Sequence, residues 1–291
     1  MRGPYLAVTA GALGIAWAPI FVALSGASPV AVAFWRYAYA LPVLAGLVAL
    51  RPRARAAFRI PGWKGLALIA GGLFTVDLVL WHRAIGLIGA GPATLLANTH
   101  VVWITLFGLV ALHELPGRAF WIALPGLATG MWLLVGGDLS GIPLEADRRG
   151  LAYGLGTGLA YAGVLICIRA GQRGTPLAPE SFLSLQITAG LLALVPLALL
   201  DPEPVVRLGR DAHVWLLPLG VGVQVFSWWA ITAGLPRIRG YHGAVLLFAQ
   251  PVGSVLLGWW VLGQALPPLR LLGAGLILAA IALTVVGDRR D

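Results

Sequence analysis

Asp77 stands in the middle of "FTVDLVLWHRA" (residues 74–84), an otherwise apolar stretch that closes on His82 and Arg83. Two more residues of the same kind interrupt apolar surroundings, Arg36 and His100. A carboxylate, a guanidinium and an imidazole can do two things in such places. They can lock helices together as ion pairs and hydrogen bonds, or they can meet a charged solute or carry a proton. Uncharged polar groups recur in similar company: Asn98, Gln186, Gln224 and Gln250. Large rings accompany them at Trp17, Trp81, Trp103, Tyr161, Trp228 and Trp229, where they serve either as packing bulk or as surfaces that stack on a flat or cationic solute. Which chemistry applies depends on whether these groups are wet, and that is set by the elements carrying them.

Those elements are membrane spans. Hydrophobic residues make up 59% of the 291 and charged residues 11%, against roughly 25% charged in soluble domains. The mean hydropathy is +0.89. Apolar runs of about twenty residues recur from end to end, each long enough to cross a hydrocarbon layer about 30 Å thick. They fall at about 4–24, 30–50, 65–87, 91–112, 116–136, 150–169, 180–200, 213–234, 240–262 and 268–286. The expected fold is an all-α membrane protein of ten transmembrane helices. Asp77 lies about ten residues, roughly 15 Å, from the end of the third run, close to the midplane. An ionised carboxylate at that depth costs about 2.5–3.5 kcal/mol, so it is expected to face the bundle interior or a water-filled cavity. Arg36 and His100 enter from the same side to similar depth and are its candidate partners. His82 and Arg83 lie nearer the surface, where Arg83 snorkels to headgroups.

The net charge of +9 is unevenly placed. Alternate loops collect Arg2, the five cations of "RPRARAAFRIPGWK" (51–64), Arg118, Arg169, Arg173, Arg237, Arg239, Arg289 and Arg290. The opposite loops mix Arg83, Arg148, Arg149, Arg207, Arg210 and Arg270 with Asp138, Glu145, Asp147, Asp201, Glu203 and Asp211. By the positive-inside rule both termini are cytoplasmic, in the inner membrane. The basic segment is then a topology signal in contact with membrane lipids, and no nucleic-acid partner is expected. Cys167 is the single cysteine and lies within a run, so no disulfide framework is possible. No metal-ligand spacing, nucleophile elbow or phosphate loop is present, so neither a cofactor, nor ATP, nor enzymatic catalysis is expected. The first run is too long for the core of a signal peptide, though small residues follow it at "LSGAS" (24–28).

Small-residue spacing adds a packing signal. Gly150, Gly154 and Gly158, continued by Ala162, make a smooth helix face for close contact. The stretch "GLGTGLA" within it resembles a dinucleotide loop only superficially, since no strand precedes it. Gln250 precedes Pro251, whose missing N–H frees a carbonyl next to an amide side chain. Trp63, Trp121, Trp215, Trp259 and Trp260 sit near run ends and are expected to act as interface anchors.

An internal repeat is present. "LLANTHVVWITLFGLVALHELP" (95–116) aligns with "LLFAQPVGSVLLGWWVLGQALP" (246–267) at an offset of 151, falling to 150, and "LLVGGD" (133–138) and "LTVVGD" (283–288) close the two halves. Five spans per half is an odd number, so the halves at 1–145 and 146–291 are expected to be inverted in the membrane, an architecture of secondary transporters. With "GIAWAPIFVAL" (14–24), "SPVAVAFWRYAYA" (28–40), "GLAYGLGTGLAYAGVLICIRA" (150–170) and "QPVGSVLLGWWVLGQAL" (250–266), the chain resembles the drug/metabolite transporter superfamily, in particular its ten-helix EamA-type members. Aromatic amino acid exporters are among the closest-looking relatives. The resemblance implies export of metabolites or drug-like compounds. Two positions depart from the pattern: His100 replaces the usual Pro of the fourth span, and Gln264 replaces the usual acid after the ninth, whereas Glu114 is kept.

The reading is a secondary transporter exporting aromatic or large neutral amino acids, or related metabolites, by alternating access. Its alternatives are a multidrug exporter of lipophilic cations and, distantly, a membrane-embedded enzyme or scaffold. Substrate contact is expected from Trp17, Asp77, Trp81, Asn98, His100, Tyr161, Gln224, Trp228 and Gln250, near the midplane on the first, third and fourth spans and their counterparts. Structural or gating roles are expected for Arg36, Pro251, Gly150, Gly154 and Gly158. The fifth and tenth spans are expected to be outer supports or an oligomer surface; oligomeric state is left open.

Overall fold

The computed structural model describes residues 2–136, 144–172, 177–201 and 205–287. Among them the chain is helical, with no strand. Ten helices are long and apolar enough to cross a membrane: span 1 Arg2–Ser25, span 2 Pro29–Leu50, span 3 Lys64–Ile88, span 4 Gly91–Leu112, span 5 Arg118–Val135, span 6 Arg148–Gln172, span 7 Pro179–Leu200, span 8 Arg210–Arg237, span 9 Gly240–Leu262 and span 10 Pro268–Gly287. Each coincides with an apolar run. Outward-facing side chains such as Leu50, Val110, Leu199 and Leu200 are strongly exposed, a surface that hydrocarbon rather than water tolerates. Of the loop charges above, Asp138, Arg173, Glu203, Arg289 and Arg290 lie outside the described residues, as do the side chains of Glu145 and Asp147 and the ends of "LLVGGD" and "LTVVGD".

Span boundaries have local causes. Pro29 and Pro179 open spans 2 and 7, where a missing N–H is harmless, and Ser28 Oγ accepts from Ala31 N–H at 3.3 Å. Spans 4 and 9 stop in the same way. His113 and Gly263 take left-handed conformations (φ 53° and 64°), and the next residues, Glu114 and Gln264, donate backbone N–H to Gly108 O and Gly258 O at 2.9 and 3.1 Å. These pairs are all 150 residues apart, as are the starts of spans 2 and 7 and of spans 5 and 10.

The chain forms two compact units, 1–75 with 164–238 and 76–163 with 239–291. In the first unit, span 2 packs on span 7 and span 1 on span 8. Tyr37 lies over Gly190, and Thr75 Oγ1 donates to Gly190 O at 3.1 Å. Gly11 and Gly14 let span 1 approach Ser227 so closely that a Cβ at either would overlap it. The span ends are tied by polar contacts. At one end Ser28 donates to Asp201 (3.4 Å), Trp35 Nε1 to Val205 O (2.8 Å), and Tyr39 Oη bonds His213 Nδ1 (2.8 Å). At the other, buried Glu180 pairs with Arg51 (3.1 Å) and accepts from Trp229 Nε1 (2.9 Å).

In the second unit span 5 packs on span 10, where Gly130 and Gly273 bring each backbone against the other. The lower part of span 4 packs against the start of span 9. There the carboxylate of Glu114 accepts from Gly240 N–H at 3.1 Å, satisfying a donor at the start of span 9. The glycine stripe of span 6 faces neighbours: Gly150 meets Ile88, Gly154 meets Leu96, and Gly158 meets Thr99 and the carbonyls of Leu96 and Ala97. One aromatic departs from expectation. Trp63 is 1% exposed, packs on Phe58 and Phe182, and donates to Ala57 O at 3.0 Å, because the segment after span 2 folds over it. It is a packing residue rather than an interface anchor, whereas Trp121, Trp259 and Trp260 are exposed by half or more.

Candidate functional site

Four spans are irregular within their length. Span 1 is interrupted at Ala16–Trp17, just before Pro19, and Trp17 N–H turns to Gly14 O at 3.3 Å. Span 8 widens into a π-helix over Leu219–Ser227, directly after Pro218, and Ser227 Oγ spans five residues to Gly222 O (3.3 Å). Spans 4 and 9 break at 98–99 and 247–248, again 150 residues apart to within one position. π-Segments and broken membrane helices cost hydrogen bonds and persist where they serve a site.

In the first unit the irregular spans carry a cluster of charge and rings. Arg36 is buried on span 2, and its Nε donates to Gln224 Oε1 in the π-segment through a short hydrogen bond. The Arg36 guanidinium also lies 5.6 Å from the centre of the Phe74 ring, a cation–π distance. Phe74 in turn meets Trp228 edge-on at 5.0 Å. Beside them Trp17 and Phe21 stack at 5.7 Å, with Trp215 next at 6.4 Å. Trp17 and Phe21 join Gly14, Pro218, Gly222, Val223 and Ser227 around a mainly apolar cleft of about 290 Å³. The structure therefore brings together Trp17, Arg36, Gln224 and Trp228 within one unit, on or beside two distorted helices.

In the second unit the two breaks face each other through rings. His100, 2% exposed, begins the second part of span 4. Its ring meets Tyr161 of span 6 edge-on at 4.9 Å and Phe248, in the break of span 9, at 5.8 Å. Its Nδ1–H donates to Ala97 O at 3.3 Å, and its Nε2 is buried without a hydrogen-bond partner of normal geometry among the described residues. Trp103 Nε1 and Thr157 Oγ1 are likewise buried with no hydrogen-bond partner among the described residues. Buried polar atoms left unpaired cost about 1–3 kcal/mol each, so such groups suit a ligand or water that completes them.

The other expected residues are placed less centrally. Asp77 is half-buried on span 3. Trp81 packs on the Ala84, Ile88 and Ala93 cluster. His82 Nδ1 donates to Leu78 O at 2.7 Å within its own helix, and Arg83 is exposed over Tyr153 at 5.9 Å. Asn98 donates to Thr94 O at 2.8 Å, also local, and so bonds within its own helix. The carbonyl that Pro251 leaves without its helical donor, Leu247 O, accepts from Gln250 N–H at 3.0 Å. It is therefore not the open acceptor expected beside Gln250. Glu180 and Phe248 escaped sequence reasoning: one follows a helix-opening proline, the other is one apolar residue among many. A signal existed for Gln186, fully buried with both amide atoms unpartnered among the described residues. It lies 150 residues after Arg36, at the matching position of the matching span. "VDLVLW" (76–81) and "VQVFSW" (223–228) likewise pair Asp77 with Gln224 and Trp81 with Trp228.

Comparison with known proteins agrees with this architecture. Residues 148–286 match the model of the EamA-like transporter family. One solved crystal structure is similar over 100% of this chain and 99% of that chain, with a TM-score of 0.85 at 18% identity, a likeness of fold. No curated protein matches.

Proposed function

We propose that this chain, a multi-pass membrane protein carrying an EamA-like transporter domain for small solutes, is a secondary transporter exporting aromatic or large neutral amino acids, or related metabolites, across the inner membrane. Transport is by alternating access, and the two halves are inverted repeats with cytoplasmic termini. The observation that carries the proposal is the matched irregularity of spans 4 and 9. Both break at equivalent positions, and the breaks bring His100, Tyr161 and Phe248 together. Discontinuous helices at corresponding places in two repeats mark the binding site of many carriers.

Packing supports the repeat as well. Spans 2 and 7, 4 and 9, and 5 and 10 pack as repeat partners. Span 1 packs on span 8, and span 3 on span 6, which are the two versions of one pairing under exchange of the halves. The substrate class follows from the mixture of groups. In the second unit Tyr161 and Phe248 offer rings to a side chain, and Asp77, His100 and Gln250 offer polar partners to a zwitterion; in the first unit Trp17 and Trp228 supply rings, and Arg36 and Gln224 supply polar groups. A lipophilic cation would use Tyr161 and Phe248 with Asp77 as counter-charge.

Counterflow in proteoliposomes tests the reading. Vesicles loaded with unlabelled Phe, Met, Thr or a lipophilic cation are presented with the labelled compound, without an ion gradient. Saturable amino acid exchange is the expected result. Exchange of cations alone would move the assignment to drug export, and no exchange of any compound would remove the substrate class.

A further inference from the structure

The segment between spans 2 and 3 is an ordered platform, and its chemistry is one-sided. From Arg51 to Lys64 it holds five cations and no acid. A short helix, Pro52–Ala57, turns the chain along the end of the first unit. Its inner side is pinned: Ala54 and Ala57 are buried, Ser181 Oγ donates to Ala54 O at 2.9 Å, and Trp63 is sealed beneath Phe58. Arg51 is spent on Glu180. The other four cations, Arg53, Arg55, Arg59 and Lys64, are all exposed, and among the described residues none has an ion pair or hydrogen bond to the protein.

Leu50 closes span 2 and Lys64 opens span 3, so the platform lies at the boundary where headgroups begin. Phe58 and Ile60, half-buried, stand among the cations. Basic side chains on a fixed scaffold, interleaved with apolar ones at that depth, match a layer of phosphodiesters above acyl chains. A freely mobile basic loop would meet the same lipids, but it would lose conformational entropy on ordering. Here the ordering is done by Trp63, Ala54, Ala57 and Ser181.

We propose that residues 51–64 form a binding surface for anionic phospholipid headgroups, with Arg53, Arg55, Arg59 and Lys64 as the ligands. Each cation close to an anionic headgroup is worth about fivefold in affinity. The interaction weakens as salt shortens the Debye length, about 10 Å at 0.1 M.

The test uses the full chain in nonionic detergent, with phosphatidylglycerol, phosphatidylcholine and soluble glycerol 3-phosphate as probes. Native mass spectrometry counts retained lipid, and thermal unfolding reads stabilisation. Phosphatidylglycerol is expected to be retained and to raise the Tm, with both effects falling as salt rises. In the combined variant Arg53→Gln, Arg55→Gln, Arg59→Gln, Lys64→Gln its affinity drops by roughly tenfold or more. The charge-conserving set Arg53→Lys, Arg55→Lys, Arg59→Lys keeps it, and so does Arg148→Gln with Arg149→Gln elsewhere on the chain. Equal retention of phosphatidylcholine overturns the proposal, as does an equal Tm rise from glycerol 3-phosphate, or undiminished phosphatidylglycerol binding in the four-residue variant. Should that variant fail to fold, the salt series on the unaltered protein decides the matter: binding insensitive to salt overturns it.

Discussion

His100 and Glu180 are both buried and polar, yet they act differently. Glu180 accepts from Trp229 and pairs with a half-exposed Arg51. Glu180→Gln keeps an acceptor for Trp229 and loses only the ion pair with the half-exposed Arg51, worth about 1 kcal/mol. Glu180→Ala strands the part-buried indole donor of Trp229, at about 1 kcal/mol or somewhat more. Thermal unfolding in detergent is expected to rank alanine clearly below glutamine; equal losses would mean that the Trp229 bond carries no weight. His100 makes only a local side-chain hydrogen bond, to Ala97 O, while its buried ring packs between Tyr161 and Phe248. His100→Leu keeps a side chain of similar bulk while removing both ring nitrogens, and is therefore expected to leave the Tm within a few degrees. It should slow counterflow by about tenfold, the worth of one lost hydrogen bond to a ligand. A mutant that unfolds, or one that transports normally, would place His100 among packing residues.

At the scale of elements, glycine marks where helices touch. Gly158 faces Thr99 and two carbonyls of span 4, and its Cβ would stand 2.9 Å from Leu96 O. Backbone cannot yield as a side-chain tip can, so Gly158→Ala is expected to cost about 1–3 kcal/mol by overpacking. Gly46 and Gly72 lie in helices with nothing within 4 Å of a Cβ. Alanine at either is expected to be neutral or to stabilise by about 0.5–1 kcal/mol, through helix propensity alone. Parallel unfolding curves of the three variants separate the cases, and a loss at Gly46 as large as at Gly158 would refute the contact assignment. The glycine stripe of span 6 was visible in the sequence because spacing of four is local. Its partners were not, because nothing local says which helix lies opposite.

For the whole molecule the discriminating substitution is Asp77→Asn. It removes the acid of span 3 while preserving its shape. If the substrate is a zwitterion, export is expected to persist at reduced rate. If it is a lipophilic cation, loss of the counter-charge abolishes exchange. Counterflow of both compound classes in the same variant distinguishes the two outcomes. A variant that transports both classes unchanged removes Asp77 from the binding machinery.

Ten spans, their limits and the offset of about 150 residues between halves were legible in the sequence. Hydrophobic length, opening prolines and the left-handed caps at His113 and Gly263 act over a few residues and need no fold to express them. The candidate site residues were also legible as types, because a polar side chain is conspicuous in an apolar run. Their partners were decided by tertiary structure. It joined Arg36 to Gln224 across 188 residues, set His100 between Tyr161 and Phe248, gave Glu180 to Trp229, and closed the carbonyl beside Pro251 with the N–H of Gln250. The physical reason is that hydrophobic burial is non-directional: it determines that helices form and insert, whereas close packing and short-range hydrogen bonds determine which faces meet.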